Sequence, residues 1–347
     1  MTDRNLLVID GSQGEGGGQV VRSSLTLAAL SGAPVRVDGV RAGRKKPGLL
    51  RQHLTALQAL VTICDGEVAG DAMGASSIEF RPGPVRGGDY HFHVGTAGST
   101  MLVLQTILLP LLKAKERSRI VLEGGTHNPY APPFDFIEKC YLPLLARMGA
   151  NVTMVLERPG FYPAGGGRVR VEVEPAAKLQ PIDIVERGKL ELRRARAVVS
   201  GLPTNIADRE LKALSAKLSW PDDAYAIETV PDPVGPGNVV MAELHSEHVC
   251  ELFTSFGVQG VPSESVAGTL ARQVRRYLAG TAPVGEFLTD QLLLPLAVAG
   301  GGSFRSTGLS RHSSTHVELL EQILGVTVAV RQHERDGVLV QVGTTAS

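Results

Sequence analysis

Gly11–Arg22 reads GSQGEGGGQVVR, five glycines around a single carboxylate, directly after the apolar run Leu6–Ile9 and directly before a helical pattern. A glycine-rich turn between a strand and a helix lets backbone N–H groups approach an anion, and the helix N-terminus adds partial positive charge. A phosphate suits such a turn. A carboxylate there repels the same phosphate unless a divalent cation lies between them, which makes Glu15 a candidate metal ligand. The plain alternative is a glycine-rich turn with a surface glutamate. The spacing is not a Walker A motif, because no Gly-Lys-Ser/Thr ending follows, and it is not a GxGxxG fingerprint with a distant acid.

Working outward, the same plan recurs. A glycine-bearing turn opens an apolar helix; a strand leads to a second turn, a second helix and two strands. The first unit has Gly14 to Leu30 as turn and helix, the strand Pro34 to Val40, the turn Arg41 to Pro47, the helix Leu49 to Cys64 and strands between Gly66 and Pro82. The second has the turn Gly95 to Ser99, helix Met101 to Leu112, strand Ser118 to Leu122, turn Gly124 to Pro129, helix Pro133 to Met148, and strands near Asn151 to Leu156 and Gly167 to Val173. The third has the turn Ala282 to Glu286, helix Phe287 to Ala299, strand Gly302 to Ser306, turn Gly308 to Ser314, helix Thr315 to Leu324, and strands near Val326 to Arg331 and Gly337 to Val342. First and second turns lie about thirty residues apart in each unit (Gly14 to Gly43, Gly95 to Gly125, Gly285 to His312). This spacing predicts an α/β (α+β) fold of three two-helix, four-strand units about a pseudo-threefold axis. Pro181 to Tyr277 departs from the plan and reads as a smaller inserted α/β domain. The expected division is 1–180 for two units, 181–279 for the insertion and 280–347 for the third unit.

Composition bounds the function. The chain has 347 residues, 43% of them hydrophobic, and its 35 Lys and Arg balance 35 Asp and Glu. Zero formal charge argues against a protein that coats long nucleic acid, while leaving room for recognition of a nucleic acid end by local basic groups. No apolar run is long enough for a bilayer and no signal-type start is present, so the expectation is a cytoplasmic protein without membrane partners. Cys64, Cys140 and Cys250 are far apart in the chain with no CxxC or Cys/His ligand spacing. They read as buried thiols in a reducing compartment rather than as bridges or zinc ligands.

The second turns carry polar groups. RAGRKKPGLLR presents Arg41, Arg44, Lys45, Lys46 and Arg51 without an acid, an anion site if it is more than a solvated basic face. SRHSSTH places His312 just ahead of a helix, where a neutral imidazole can attack an activated phosphorus; a structural or surface histidine is the alternative. His316 and Thr315 would orient the ring or cap the helix. GGTHNPYAPPFDF offers an apolar wall of Tyr130, Pro132, Pro133 and Phe134, or simply a stiff helix entry, with Asp135 an ordinary first-turn acid. GEFLTDQ groups Phe287, Asp290 and Gln291 on one helical turn, a combination suited to a nucleoside.

Taken together, GSQGEGGGQVVRSSL, RAGRKKPGLLRQHLTAL, GTAGSTMLVLQT, GGTHNPYAPP, GFYPAGGGRV and GEFLTDQLLLP resemble, in order and along nearly the whole chain, the RNA 3′-terminal phosphate cyclase family. The resemblance implies an ATP-dependent ligase that turns RNA 3′-phosphate ends into 2′,3′-cyclic phosphates through a histidine–AMP and an RNA-(3′)pp(5′)A adenylate, releasing AMP and pyrophosphate. It implies His312 as nucleophile and Glu15 as ligand of a divalent metal, Mg or Mn. It also implies that Arg22, Arg41, Arg44 and Gln52 handle phosphates and the RNA end, and that Gln105, Pro132, Phe287, Asp290 and Gln291 surround ATP. Two positions depart from the family pattern: Phe287, where tyrosine is common, and His316, where asparagine commonly follows the threonine. Two other classes compete: a non-catalytic relative acting in ribosome assembly, against which His312 and Glu15 speak, and an enolpyruvyl transferase, which normally has two copies of the threefold plan.

Overall fold

The apolar run that precedes the glycine loop forms β1 (Leu7–Asp10), and the loop, in which Gly14 and Gly16 both take positive φ, ends where α1 (Gly18–Ser31) begins. In the computed structural model, which describes residues 6–344, β2 (Val35–Asp38), α2 (Arg51–Cys64), β3 (Glu67–Ala69) and β4 (Ser77–Arg81) follow. They complete a sheet ordered β1-β2-β4-β3, with β1 and β2 parallel and the remaining pairs antiparallel.

β5 (Asp89–His93), which the sequence pattern did not reveal, opens a second sheet with β6 (Ser118–Gly124), β7 (Asn151–Arg158) and β8 (Gly167–Glu174), ordered β5-β6-β8-β7. α3 (Thr100–Leu112) joins its first two strands, the Ser99 hydroxyl accepting the Leu102 N–H at its start. The helix expected from Pro133 to Met148 is broken: α4 (Phe134–Phe136) passes through a π-helical turn (Ile137–Tyr141) into α5 (Leu142–Arg147). Pro143 at the start of α5 has no N–H to donate back, consistent with the wider turn before it.

β9 (Asp183–Ile184) comes next, within the stretch 181–279. It pairs in parallel with β14 (Gly301–Ser306), far ahead in sequence, so the last sheet takes its first strand from before the intervening segment. That sheet is ordered β9-β14-β16-β15, with β15 (Val326–Gln332) and β16 (Val338–Thr344). The helices α8 (Glu286–Ala299) and α9 (Arg311–Leu324) belong to this part. Between β9 and α8 lie β10 (Leu190–Ser200), α6 (Asn205–Leu218), β11 (Tyr225–Thr229), β12 (Gly237–Ser246), β13 (Cys250–Phe256) and α7 (Ser263–Ala279), whose strands form a fourth sheet ordered β11-β10-β12-β13. The fold is thus mixed α/β with four four-stranded sheets among the described residues.

Strand periodicity explains how the fourth sheet is held. Ala195, Ala197, Val199, Val240, Ala242 and Leu244 face α6 and α7 in one buried cluster, while Val198, Val239 and Met241, on the opposite face, join the main core. Side chains alternate across a strand, so a strand covered on both faces reads as a nearly continuous apolar run, as β12 does. α1 is buried on almost every side and packs against α2, α3 and α9, which places its N-terminus among the turns that carry the chemistry.

Because the fourth sheet shares its core with the rest, urea unfolding should show one transition for both regions. Met241→Ala should lower the unfolding free energy by about 2–5 kcal/mol. A separate early transition of residues 190–279, followed by proteolysis, would contradict the shared core.

Candidate active site

The glycine loop is defined by what it lets come close. Gly14, at φ +56°, leaves room for Thr315: a Cβ at this position would stand 2.2 Å from the Thr315 hydroxyl. A Cβ on Gly17 would stand 2.7 Å from Arg44 Nη2, and one on Gly18 would stand 2.2 Å from His53 Nε2. The Glu15 N–H donates to Thr315 Oγ1 at 3.1 Å, tying the loop to α9. A side chain at any of these three glycines forces Thr315, Arg44 or His53 to shift.

Glu15 is consequently held between two groups. Arg44 Nη2 donates to its Oε1, and His312 Nδ1 lies against its Oε2. Nδ1 is also 2.8 Å from Gln19 Oε1, an oxygen that accepts a proton from it, while the adjacent Glu15 carboxylate favours a proton there. This favours the Nδ1–H form and leaves Nε2, without a hydrogen-bond partner among the described residues, as the lone-pair nitrogen of a half-exposed ring.

His312 does not precede its helix, as the sequence pattern predicts. The helix starts at Arg311, because Ser310 caps it: the Ser310 hydroxyl accepts the Ser313 N–H at 2.9 Å while Ser313 Oγ accepts the Ser310 N–H at 3.3 Å. The ring therefore sits in the first turn, where the helix dipole favours a bound anion. Asp290 of α8 lies beneath the cap and accepts hydrogen bonds from Ser310 Oγ at 3.1 Å and from Ser313 Oγ. Burial raises its carboxyl to about 6 against the opposing pull of the serine hydroxyls and the nearby His312.

Arg22, one turn into α1, has no hydrogen bond or ion pair among the described residues, and burial lowers its guanidinium to about 10. Its neighbours are neutral imidazoles. His53 is pushed down to about 3 by burial and by the charges of Arg22 and Arg41. His316 is pushed down to about 4, mainly by burial, and its Nε2 lies 3.2 Å from Ser23 Oγ. The His53 Nδ1 accepts the Leu50 N–H at 3.3 Å, which directs Nε2–H toward Gly18. Sequence reasoning missed His53 and Gln19; the N3 position of His53 in α2 was its available signal.

The remaining candidates fall into separate roles. Arg41, at φ +53°, turns its Nη1 back onto the carbonyls of Lys46 at 2.6 Å and Gly48 at 2.9 Å, so part of its fork stabilises the basic turn itself. Gln52 Oε1 accepts the Ser99 N–H at 3.2 Å, joining α2 to the start of α3. Gln105 of α3 donates to Gln291 of α8, so these two meet, while Phe287 is 57% exposed one turn earlier. Of the two readings of 130–134, an apolar wall or a stiff helix entry, the structure fits the second: Phe134 is buried, Pro132 is half-buried, and Tyr130, at φ +65°, is fully exposed. Asp135 is no ordinary first-turn acid. Against burial, which raises it, the hydrogen bond from His127 Nε2 at 2.9 Å and the charges of His127, Arg196 and Lys139 hold it well below the usual carboxylate range.

No group of three or more His, Cys, Asp or Glu side chains suited to a metal occurs among the described residues. A cation of the Mg type needs no such cage, since one carboxylate with phosphate and water oxygens suffices. Glu15 fits that mode, provided His312 or Arg44 yields one of its oxygens.

A carboxylate, an imidazole with one free nitrogen, an unpaired arginine and two helix N-termini around one glycine loop are suited to handling an anion. The family described as RTC, RNA 3′-terminal phosphate cyclase, matches residues 13–330. The chain belongs to this family and is an enzyme of its ligase class. It is 47% identical over 322 residues to the RNA 3′-terminal phosphate cyclase of Salmonella agona, covering 93% of each chain. It is 46% identical over 335 residues to that of Ralstonia nicotianae, covering 96% of each. It is also 46% identical to that of Ectopseudomonas mendocina over 330 residues, 95% of this chain and 96% of the other. A solved enolpyruvyl transferase, NikO from Streptomyces tendae, aligns with 99% of this chain and 66% of its own at 10% identity and a TM-score of 0.29, too loose to bear on fold or function.

The two neutral histidines give a pH prediction. Their folded pKa values, about 3 and about 4, lie below the ordinary 6.5, so the unfolded chain binds their protons first and stability is lost as pH falls from 6.5 toward 4. Asp290, raised to about 6, works in the opposite direction over part of that range. Urea midpoints from pH 7 to 4.5 should therefore fall, by roughly 3 kcal/mol of stability for each histidine as an upper scale. His53→Gln should make the decline shallower; an unchanged slope would mean His53 is not held neutral.

Proposed function

We propose that the chain converts RNA 3′-phosphate ends into 2′,3′-cyclic phosphates with ATP, and that His312 is its nucleophile. The observation that carries this reading is the His312 ring, whose Nδ1 is fixed by Glu15 and Gln19 and whose Nε2 is free in the first turn of α9. Nε2 attacks the α-phosphorus of ATP, forming a P–N bond as pyrophosphate leaves. An oxygen of the RNA 3′-phosphate then displaces histidine and takes over the AMP, giving RNA-(3′)pp(5′)A. The neighbouring 2′-hydroxyl closes on the 3′-phosphorus and AMP departs; proximity lowers the barrier of this intramolecular step.

Arg22, Arg44 and the α9 N-terminus supply positive potential for phosphate oxygens, with Arg41 and Gln52 at the edge used by the RNA end. Glu15 would hold the divalent cation, Mg or Mn, which when bound neutralises charge on the triphosphate. Pro132, Phe287, Asp290 and the Gln105–Gln291 pair would form the adenosine side of the site. In Phe287 the ring face is retained and a hydroxyl contact is given up. The enzyme class of the family, together with Glu15 and His312 in contact, favours catalysis over a ribosome-assembly role without chemistry.

The same reading treats the fold as three repeated units about an approximate threefold axis with one inserted domain. Its support is the common order of three sheets: a parallel pair, then two antiparallel strands, with the later strand inside. On this view the units of 1–180 are followed by a third split around the insertion, with β9 before it and 280–347 after it. The cysteines, all unbridged, accord with a reducing cytoplasm, and no helix among the described residues is long and apolar enough to cross a membrane.

Incubation with α-labelled ATP and a divalent metal should leave acid-labile, alkali-stable label on the protein. His312→Ala should reduce that label by at least ~10³-fold; full labelling of the variant would remove His312 as nucleophile. Arg44→Ala should impair transfer to RNA 3′-phosphate more than self-adenylation. Equal loss in both steps would assign Arg44 to ATP.

A further inference from the structure

Cys140 and Cys250, 110 residues apart in sequence, are free thiols whose sulfurs are 3.7 Å apart. Cys140 lies in the π-helical turn and is 1% exposed; Cys250 opens β13 of the fourth sheet and is half-buried. His245 of β12 stands opposite Cys250 in the antiparallel register, its Nε2 3.7 Å from Cys250 Sγ. Glu243 accepts from the same nitrogen, Nε2, and also takes Lys139 Nζ at 2.7 Å. A half-buried cysteine beside an imidazole, with a second thiol in contact behind it, is the arrangement of an attacking and a resolving cysteine.

We propose that Cys140 and Cys250 are a redox pair, which hydroperoxides oxidise to an intramolecular disulfide joining the π-helical turn to β13. Cys250 Sγ attacks the peroxide, the O–O bond breaks, and the thiol proton ends on the departing oxygen. The products are a Cys250 sulfenic acid and water, or the corresponding alcohol from an organic hydroperoxide. Cys140 Sγ then displaces the sulfenic hydroxyl, which leaves as water with the Cys140 proton. Two electrons move from the pair of thiols to the peroxide. Bond formation requires the sulfurs to close by about 1.7 Å.

The disulfide would fasten two segments that abut the nucleotide side. The residue after Cys250, Glu251, accepts the Gly285 N–H at 2.5 Å directly before α8, and Cys140 follows Asp135 in the same helical stretch. Cys64 is a built-in control. It is buried, donates to the Leu60 carbonyl at 2.8 Å, and burial raises its thiol to about 11.

The full-length protein should be treated with hydrogen peroxide, alkylated under denaturing conditions and mapped by peptide mass. The expected result is a monomeric product lacking two hydrogens, a crosslinked Cys140–Cys250 peptide, a free Cys64, reversal by dithiothreitol and a Tm raised by a few degrees over the reduced protein. Cys250→Ser, checked for a native reduced Tm, should yield no crosslink, and Cys64→Ser should crosslink as the wild type does. Three alkylated cysteines after treatment, crosslinks between molecules, or Cys250 sulfinic acid without the Cys140 link would overturn the proposal.

Discussion

The absence of side chains at three positions of the glycine loop is the constraint on which the site depends. Thr315, Arg44 and His53 come from α9, the basic turn and α2, and each approaches a glycine closer than a Cβ would permit. Three segments distant in sequence are thereby brought around Glu15 and His312. Affinity for an anion is a property of many glycine-rich turns; the close approach is what adds an imidazole and a guanidinium to this one.

The shared core extends this constraint to the rest of the molecule. β12 is buried on both faces, so the fourth sheet is wedged between α6 and α7 on one side and the main core on the other. Charged groups fix the junction as well: Asp135 joins His127 and Lys139 to Arg196 of β10, and Lys139 reaches Glu243 of β12. Breaking one member of such a buried network costs more than the network adds over an apolar contact, so it fixes the arrangement more than it stabilises it. The segment after Pro132 is therefore positioned by the fourth sheet as well as by its own helix.

What was legible in the sequence was local. Gly14 and Gly16, the apolar helices and the Ser-rich start of α9 announced the turns, and their spacing ordered the chain; Glu15 and His312 stood out as residue types foreign to their loops. What was hidden depends on partners remote in sequence. β9 has two residues and is a strand only because β14 pairs with it. Asp135 looks like a first-turn acid until Arg196 is beside it, and Cys140 looks isolated until β13 delivers Cys250. The start of α9 was misplaced because the cap is formed by Ser310 and Ser313 together, and the serines after His312 drew the boundary too late.

The electrostatics of the site follow from keeping its cations few and fixed. Three positive groups close to one another would repel, and protonated His53 and His316 would add two more beside Arg22. Burial holds both imidazoles neutral, so they contribute hydrogen bonds and shape while Arg22 carries the charge beside them. Its guanidinium has no carboxylate to offset its own desolvation. An anion entering the site restores what the arginine lost, whereas a carboxylate partner would have satisfied it beforehand and competed with phosphate. Arg44 illustrates the contrast: it is paired with Glu15, so its availability to phosphate depends on the carboxylate turning to another cation. The paired arginine responds to occupancy of Glu15, the unpaired one to phosphate directly, and a formally neutral chain can thus present strong local affinity for an anionic end.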